Sequence, residues 1–356
     1  MMAYYTVFGI LLCGLCFPLI QDKRVRRPFI WSYFIFVLIV LTLFSGLRSP
    51  YLDPDYLNYV DWFNEIRFGI IHEQIWLKDP AYAAIAIAVA SAGFTYLLIP
   101  LIYAFIALTA KVVLAYTVAC EQAVTLYFYL IFCRFYLLLE MTQIRAAVAI
   151  PVMTLAIYFA CTQRPAKAAL FYLIALSFHL SVAIGLPLFI LILCGVRFRS
   201  RKWVFMFAPL AVCASLVFEA FLKQLYGVYR IADYVAGQSE EETLSLLSFH
   251  LLLHVAIVLI VVFFCWKKLS LFERAAAVYS GFAIFLYSIF IGETVLATRF
   301  EQLFDLMFLA LFVVIFKRLS SRWHFVYLSG VGILGFILFQ STIGIVKSYA
   351  FWDALH

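Results

Sequence analysis

Residues 141–179 read MTQIRAAVAIPVMTLAIYFACTQRPAKAALFYLIALSFH: two apolar runs, Ala146–Cys161 and Ala168–Phe178, joined by the basic turn Thr162–Lys167. Arg145 opens the first run and His179 interrupts the apolar sequence at the far end of the second. If both runs cross a bilayer as helices, Arg145 and His179 return to the same side. Ionisable groups at membrane depth are costly, and they mark candidate sites. The stretch therefore sets both the fold class, helices paired across a membrane, and the first pair of candidate residues.

The same pattern extends outward to both ends of the chain. Of the 356 residues, 67% are hydrophobic and 13% charged, and the mean hydropathy is +1.04. That composition excludes a soluble domain. Apolar runs recur throughout, many near the ~20 residues that span a ~30 Å hydrocarbon core as a helix. The expected fold is all-α: one polytopic integral membrane domain over 1–356, with about 12 (roughly 10–13) transmembrane helices. The first run, Tyr4–Ile20, has no basic leader or small-residue cleavage site and reads as a helix, not a signal peptide. The net charge of +7 sits in short clusters between apolar runs, as orienting loops do, and points to no nucleic-acid partner. Eight cysteines are scattered singly apart from Cys13 and Cys16, and this lone CxxC lies inside the first run without a second pair.

Basic clusters fix the expected orientation. Lys23–Arg27, Arg164–Lys167, Arg197–Lys202, Lys267–Lys268 and Lys317–Arg322 are all placed in the cytoplasm by the positive-inside bias. Both termini then lie outside. Two polar segments, about 47–80 and 219–247, become external loops. In the first, Tyr56, Tyr59, Phe63 and Ile66 recur at helical spacing, which predicts an amphipathic interfacial helix over about Asp55–Arg67. Ala81–Ala92 is too short to span and precedes Gly93; it reads as a re-entrant or half-inserted helix. Lys111 is expected to snorkel to the inner interface. Residues 166–195 run out and back, with His179 at a sunken apex.

Sorted by side, Arg48, Asp53, Asp55, Arg145, His179, Arg230, Glu293 and Arg299 fall on or just beneath the external face. External arginines run against the loop bias, and several together point to an anionic ligand. Arginine offers a rigid donor fork matched to phosphate and stays charged at any working pH. Arg145 and Arg299, assisted by Arg48, are the candidate diphosphate ligands. The unperturbed pKa of a histidine lies near working pH, which makes His179 the candidate base or acceptor-positioning group. Asp53, Asp55, Tyr56, Arg230 and Glu293 are candidate substrate-binding residues. The structural alternative has Arg145 capping a helix, Arg299 paired with Glu301 or Glu293, and His179 as a hydrogen-bonded buried histidine.

Other constellations carry less. His250 and His254 are four residues apart on one helical face, but Leu251 stands where an HExxH motif has its glutamate. With no third ligand in the local sequence, no metal site is expected there, because zinc takes three or four protein ligands. Arg134 lies mid-run and needs a partner, Asp305 or Glu140. Glu240–Glu242 reads as a solvated charge run. The chain lacks a glycine-rich phosphate loop, a dinucleotide fingerprint and a nucleophile elbow, so no cofactor is expected.

Four stretches in order resemble the EpsG/Wzy-type family of bacterial polysaccharide polymerases: GLRSPYLDPDYLNYVDWF from Gly46, MTQIRAAVAIPVMTLAIYF from Met141, ALSFHLSVAIGLPL from Ala175, and ATRFEQLFDLMF from Ala297. Together they span Gly46–Phe308. Where the family often has R-D-x-x-x-G-x-D-Y, this chain has Ser49 after Arg48 and Pro54 before Asp55, and its "IRQ" is Ile144–Arg145–Ala146. The resemblance implies a GT-C-like glycosyltransferase, working without nucleotide sugar and expected to be metal-independent. It would join undecaprenyl-diphosphate-linked oligosaccharides at the outer face of the bacterial inner membrane, as O-antigen, capsule or exopolysaccharide. Donor and acceptor would both be lipid-linked, with membrane lipid around them and a flippase and chain-length regulator as candidate partners. A transporter or flippase for the same lipids is the alternative. Transporters place a midplane site between inverted repeats, whereas here the unusual charges gather on one face.

Overall fold

The computed structural model describes residues 1–49, 52, 55–70, 79–210, 248–291, 293–344 and 346. Asp53, Arg230 and the acidic triplet Glu240–Glu242 lie outside the described residues. Those described are helical, with no strand among them. Among the described residues six helical stretches are long and apolar enough to cross a membrane: Met2–Leu19, Lys23–Gly46, Leu98–Val118, Ile144–Cys161, Phe249–Lys268 and Ser321–Ile343. Three shorter apolar helices, Pro80–Ser91, Pro165–Phe178 and Leu180–Leu193, accompany them. The chain is thus an all-helical membrane protein. Val124–Phe135 continues into a π-helical turn at Tyr136–Glu140, the out-and-back run after the Arg164–Lys167 cluster forms the two short helices Pro165–Phe178 and Leu180–Leu193, and the run expected over Trp203–Phe218 lies partly outside the described residues.

The contacts divide into two compact units, residues 1–159, 165–183 and 319–356 in one, 160–164 and 184–318 in the other. The first is built on Val124–Phe135, whose residues are buried on every face except Arg134; a helix apolar all round belongs in a core. Met2–Cys13 and His324–Ile343 pack against it. Lys23–Gly46 pairs with Leu98–Val118 and turns Phe29, Ile35, Phe36, Ile39 and Leu43 outward, an apolar stripe suited to lipid. In the second unit Leu271–Ile289 is central. It packs on Phe249–Ile260, Thr294–Gln302 and Asp305–Arg318, and a Ser270/Glu273 capping box starts it.

Local reasoning from sequence is visible in the polar segment after Gly46. Tyr56–Arg67 is a helix and buries Tyr56, Tyr59, Phe63 and Ile66, the four residues whose spacing predicts it. Pro80 opens the next helix at its first position, where a missing N–H costs nothing. It runs to Ser91, and Gly93 follows with φ +80, a conformation that suits glycine. The turn at His179 also forms where expected: Pro165–Phe178 ends there and a 3₁₀ segment, Leu180–Gly185, begins. Tyr172 closes the corner by donating its hydroxyl to the Val182 carbonyl at 2.8 Å.

Gly46 marks the closest approach of Lys23–Gly46 to Leu98–Val118. A Cβ there would stand 2.8 Å from the Leu101 Cα, so backbone would have to move. Overpacking of this kind costs about 1–3 kcal/mol. Gly46→Ala is expected to lower the thermal midpoint of the purified protein in detergent by several degrees, whereas Gly344→Ala, with open space around it, should leave it nearly unchanged.

Candidate functional site

In the first unit several of the candidate residues lie where Tyr56–Arg67 and Pro80–Ser91 meet the start of Ile144–Cys161. Arg145 stands in the first turn of that helix. Its guanidinium pairs with Asp79, the residue before Pro80, whose side chain is 6% exposed against 21% for Arg145. It also donates Nε–H to the Tyr59 hydroxyl at 3.3 Å. Its face lies over two rings, Trp62 at 4.9 Å and Tyr59 at 5.4 Å, contacts that favour a cation. Arg145 is therefore not a simple helix cap. It is held by one carboxylate and two aromatics and keeps part of its surface open.

An aromatic wall continues from this point. Tyr59 touches Tyr82, Tyr82 touches Tyr103, and Tyr103 meets Phe178 edge-on at 5.7 Å. Tyr82 donates to the Tyr59 carbonyl at 2.6 Å. The buried hydroxyls of Tyr96 and Tyr103 have no hydrogen-bond partner among the described residues, so both can serve an incoming polar group. Burial pushes the Tyr59 phenol above its ordinary range, with the neighbouring Arg145 pulling the other way. It stays neutral and donates or accepts a hydrogen bond at working pH. His179 follows Phe178 and is half-buried, its N–H bonded to the Ala175 carbonyl at 3.0 Å.

Arg48 is more deeply placed than an external loop residue should be. It is fully buried, donates to the Ser45 carbonyl at 2.7 Å and lies 5.2 Å from the Tyr56 ring centre. Asp55 occupies the N-cap position of Tyr56–Arg67 but makes no side-chain capping bond. Lys111 departs from expectation. It does not snorkel; its side chain is 2% exposed and pairs with Glu140, itself fully buried. Arg134 lies over the Phe135 ring at 5.7 Å.

In the second unit Glu293 is buried at the N-terminus of Thr294–Gln302, and Arg299 is half-buried on the same helix. Glu301, an expected partner for Arg299, faces His250 and His254 at 3.1 and 3.2 Å. Asp305 stands 3.2 Å from the other nitrogen of His254. Sequence reasoning missed Asp79, Tyr82 and Tyr103 around Arg145, and it offered Glu301 and Asp305 to Arg299 and Arg134 without setting them beside the two histidines. A cavity of about 410 Å³ lined by Arg197, Arg199, Arg274 and Cys161–Gln163 includes none of the candidates.

A family model describing the EpsG family matches residues 30–352. The chain belongs to the EpsG family. No curated protein and no solved structure matches it. For an EpsG-family chain with six apolar helices of spanning length, membership suggests a polymerase-type role in polysaccharide synthesis at a membrane. Its match includes every candidate residue, from Arg48 to Arg299.

Proposed function

We propose that this chain is a Wzy-like polymerase at the outer face of the bacterial inner membrane. It transfers a growing glycan from undecaprenyl diphosphate to the non-reducing end of the next lipid-linked repeat. The observation that carries this reading is the setting of Arg145, a guanidinium held by Asp79, Tyr59 and Trp62 with part of its surface open. Aromatic faces beside an arginine suit a ligand that joins sugar rings to a diphosphate.

In the transfer, the bond from the anomeric carbon to the diphosphate oxygen breaks, and one forms to an acceptor hydroxyl. The hydroxyl proton passes to His179, and the charge developing on the diphosphate is met by Arg145 and Arg299, with Arg48 assisting. Arginine contacts gain strength in a low-dielectric site. Asp53, Asp55, Tyr56, Arg230 and Glu293 orient sugars or arginines, and no nucleotide or cofactor takes part. Inner-membrane placement and an exterior-facing site follow from the positive-inside reading of the basic clusters.

The test is extension of purified lipid-linked repeats by the protein in vesicles. Wild type is expected to produce a ladder of longer chains, with His179→Ala and Arg299→Ala each slower by about 100-fold or more. Normal ladders from both variants would sink the residue assignment. Movement of the lipid between leaflets without elongation would replace the polymerase with a flippase.

A further inference from the structure

We propose that His250, His254 and Glu301 form a binding site for one divalent metal ion of the zinc type, with Asp305 orienting His254. The helix Phe249–Ile260 puts the two histidines one turn apart, their ring centres 4.7 Å from each other. The chain then returns through Thr294–Gln302 and Asp305–Arg318 to bring two carboxylates against them. His250 Nδ1 and His254 Nδ1 converge on a single oxygen, Glu301 Oε1, at 3.1 and 3.2 Å. One donor atom from each of the four side chains lies within 4.8 Å of the others.

Three features separate this cluster from an ordinary ion pair. His254 is fully buried, yet neither of its ring nitrogens makes a hydrogen bond of acceptable angle among the described residues. Atoms that face one another at hydrogen-bond distance with the wrong angle are what metal ligands look like, because their lone pairs point to a common centre. The spacing also fits: bonds of about 2.0–2.2 Å around a tetrahedral ion put neighbouring ligand atoms about 3.3–3.6 Å apart. The two contacts of Glu301 Oε1, at 3.1 and 3.2 Å, fall just short of that range. Finally, Glu301 and Asp305 are each 1% exposed, and two buried carboxylates want two positive charges nearby. A divalent ion supplies both.

Asp305 takes the second role. Its Oδ1 is 3.2 Å from His254 Nε2, on the side of the ring away from Glu301, where a carboxylate fixes the tautomer and strengthens a metal-bound imidazole. Phe308 covers the same ring, with centres 3.5 Å apart. Two histidines and one carboxylate leave a fourth position for water, and His250, 24% exposed, is the open side. The ion would fasten the short helix that also carries Arg299.

The test is metal content of the full-length, tag-free protein in detergent after loading with Zn²⁺ or Co²⁺ and desalting. Wild type should hold one ion per chain, and the Co²⁺ form should show the intense visible bands of a four-coordinate site. Glu301→Gln and His250→Ala should hold none, and Asp305→Asn should bind 10- to 100-fold more weakly. Added Zn²⁺ should raise the melting temperature of wild type and not of His250→Ala, a partly exposed change that spares the core. Absence of stoichiometric metal in folded wild type, or equal uptake by the variants, would overturn the site and leave a histidine–carboxylate cluster with no ion. Chain elongation is not read in any of these measurements, so they stand apart from the polymerase proposal.

Discussion

Arg145→Ala is expected to reduce chain elongation by about 100- to 1,000-fold while leaving the protein folded and membrane-inserted. The magnitude is that of removing one preorganised donor from a developing negative charge. Arg145→Lys should fall between wild type and alanine, since it keeps the charge and loses the planar fork and its stacking on Trp62 and Tyr59. The variant that separates function from support is Asp79→Asn. It removes the buried carboxylate that aims Arg145 but leaves the guanidinium in place. Turnover should drop more than lipid-linked substrate binding weakens, because the cation remains and its direction is lost. If the pair were only structural, both single variants would unfold at lower temperature, and the double Arg145→Ala/Asp79→Ala protein would recover stability with normal elongation. That outcome would remove Arg145 from the site.

How much of this was legible beforehand depends on whether a feature is local. The helix Tyr56–Arg67 was readable because its four buried side chains repeat at helical spacing. The turn at His179 was readable because 30 apolar residues between two basic clusters fit neither one span nor two. The short helix before Gly93 was readable from its length. What sequence did not reveal is tertiary pairing. Lys111 and Glu140 are 29 positions apart, and nothing in either neighbourhood announces the other. Asp79 reads as the end of a polar loop until the fold sets it on Arg145. His250 and His254 were visible as a pair, but their carboxylates arrive from Glu301 and Asp305, beyond an entire intervening helix. A hydropathy profile also has no signal for the π-turn at Tyr136–Glu140.

The Lys111–Glu140 pair carries the largest expected effect on stability. Both side chains are sealed from solvent, so deleting one leaves a charge with neither water nor partner. Lys111→Met should destabilise the protein by about 3–5 kcal/mol, seen as a large fall in melting temperature or as loss of folded material in detergent. The double variant Lys111→Met/Glu140→Leu should behave differently. Replacing both charges by apolar groups of similar volume is commonly neutral or stabilising by about 1–4 kcal/mol, so stability should return to near wild type. Activity then reports what the pair is for. Glu140 is linked to Arg48 through its main chain: Ser45 Oγ donates to the Glu140 carbonyl at 2.7 Å, and Arg48 donates to the Ser45 carbonyl at 2.7 Å. The double variant keeps these backbone acceptors and should therefore keep Arg48 in place and elongation within a few-fold of wild type. A stable double variant that fails to elongate would show that the charges themselves serve the transfer, and that Lys111 and Glu140 belong with Arg145 among the functional groups.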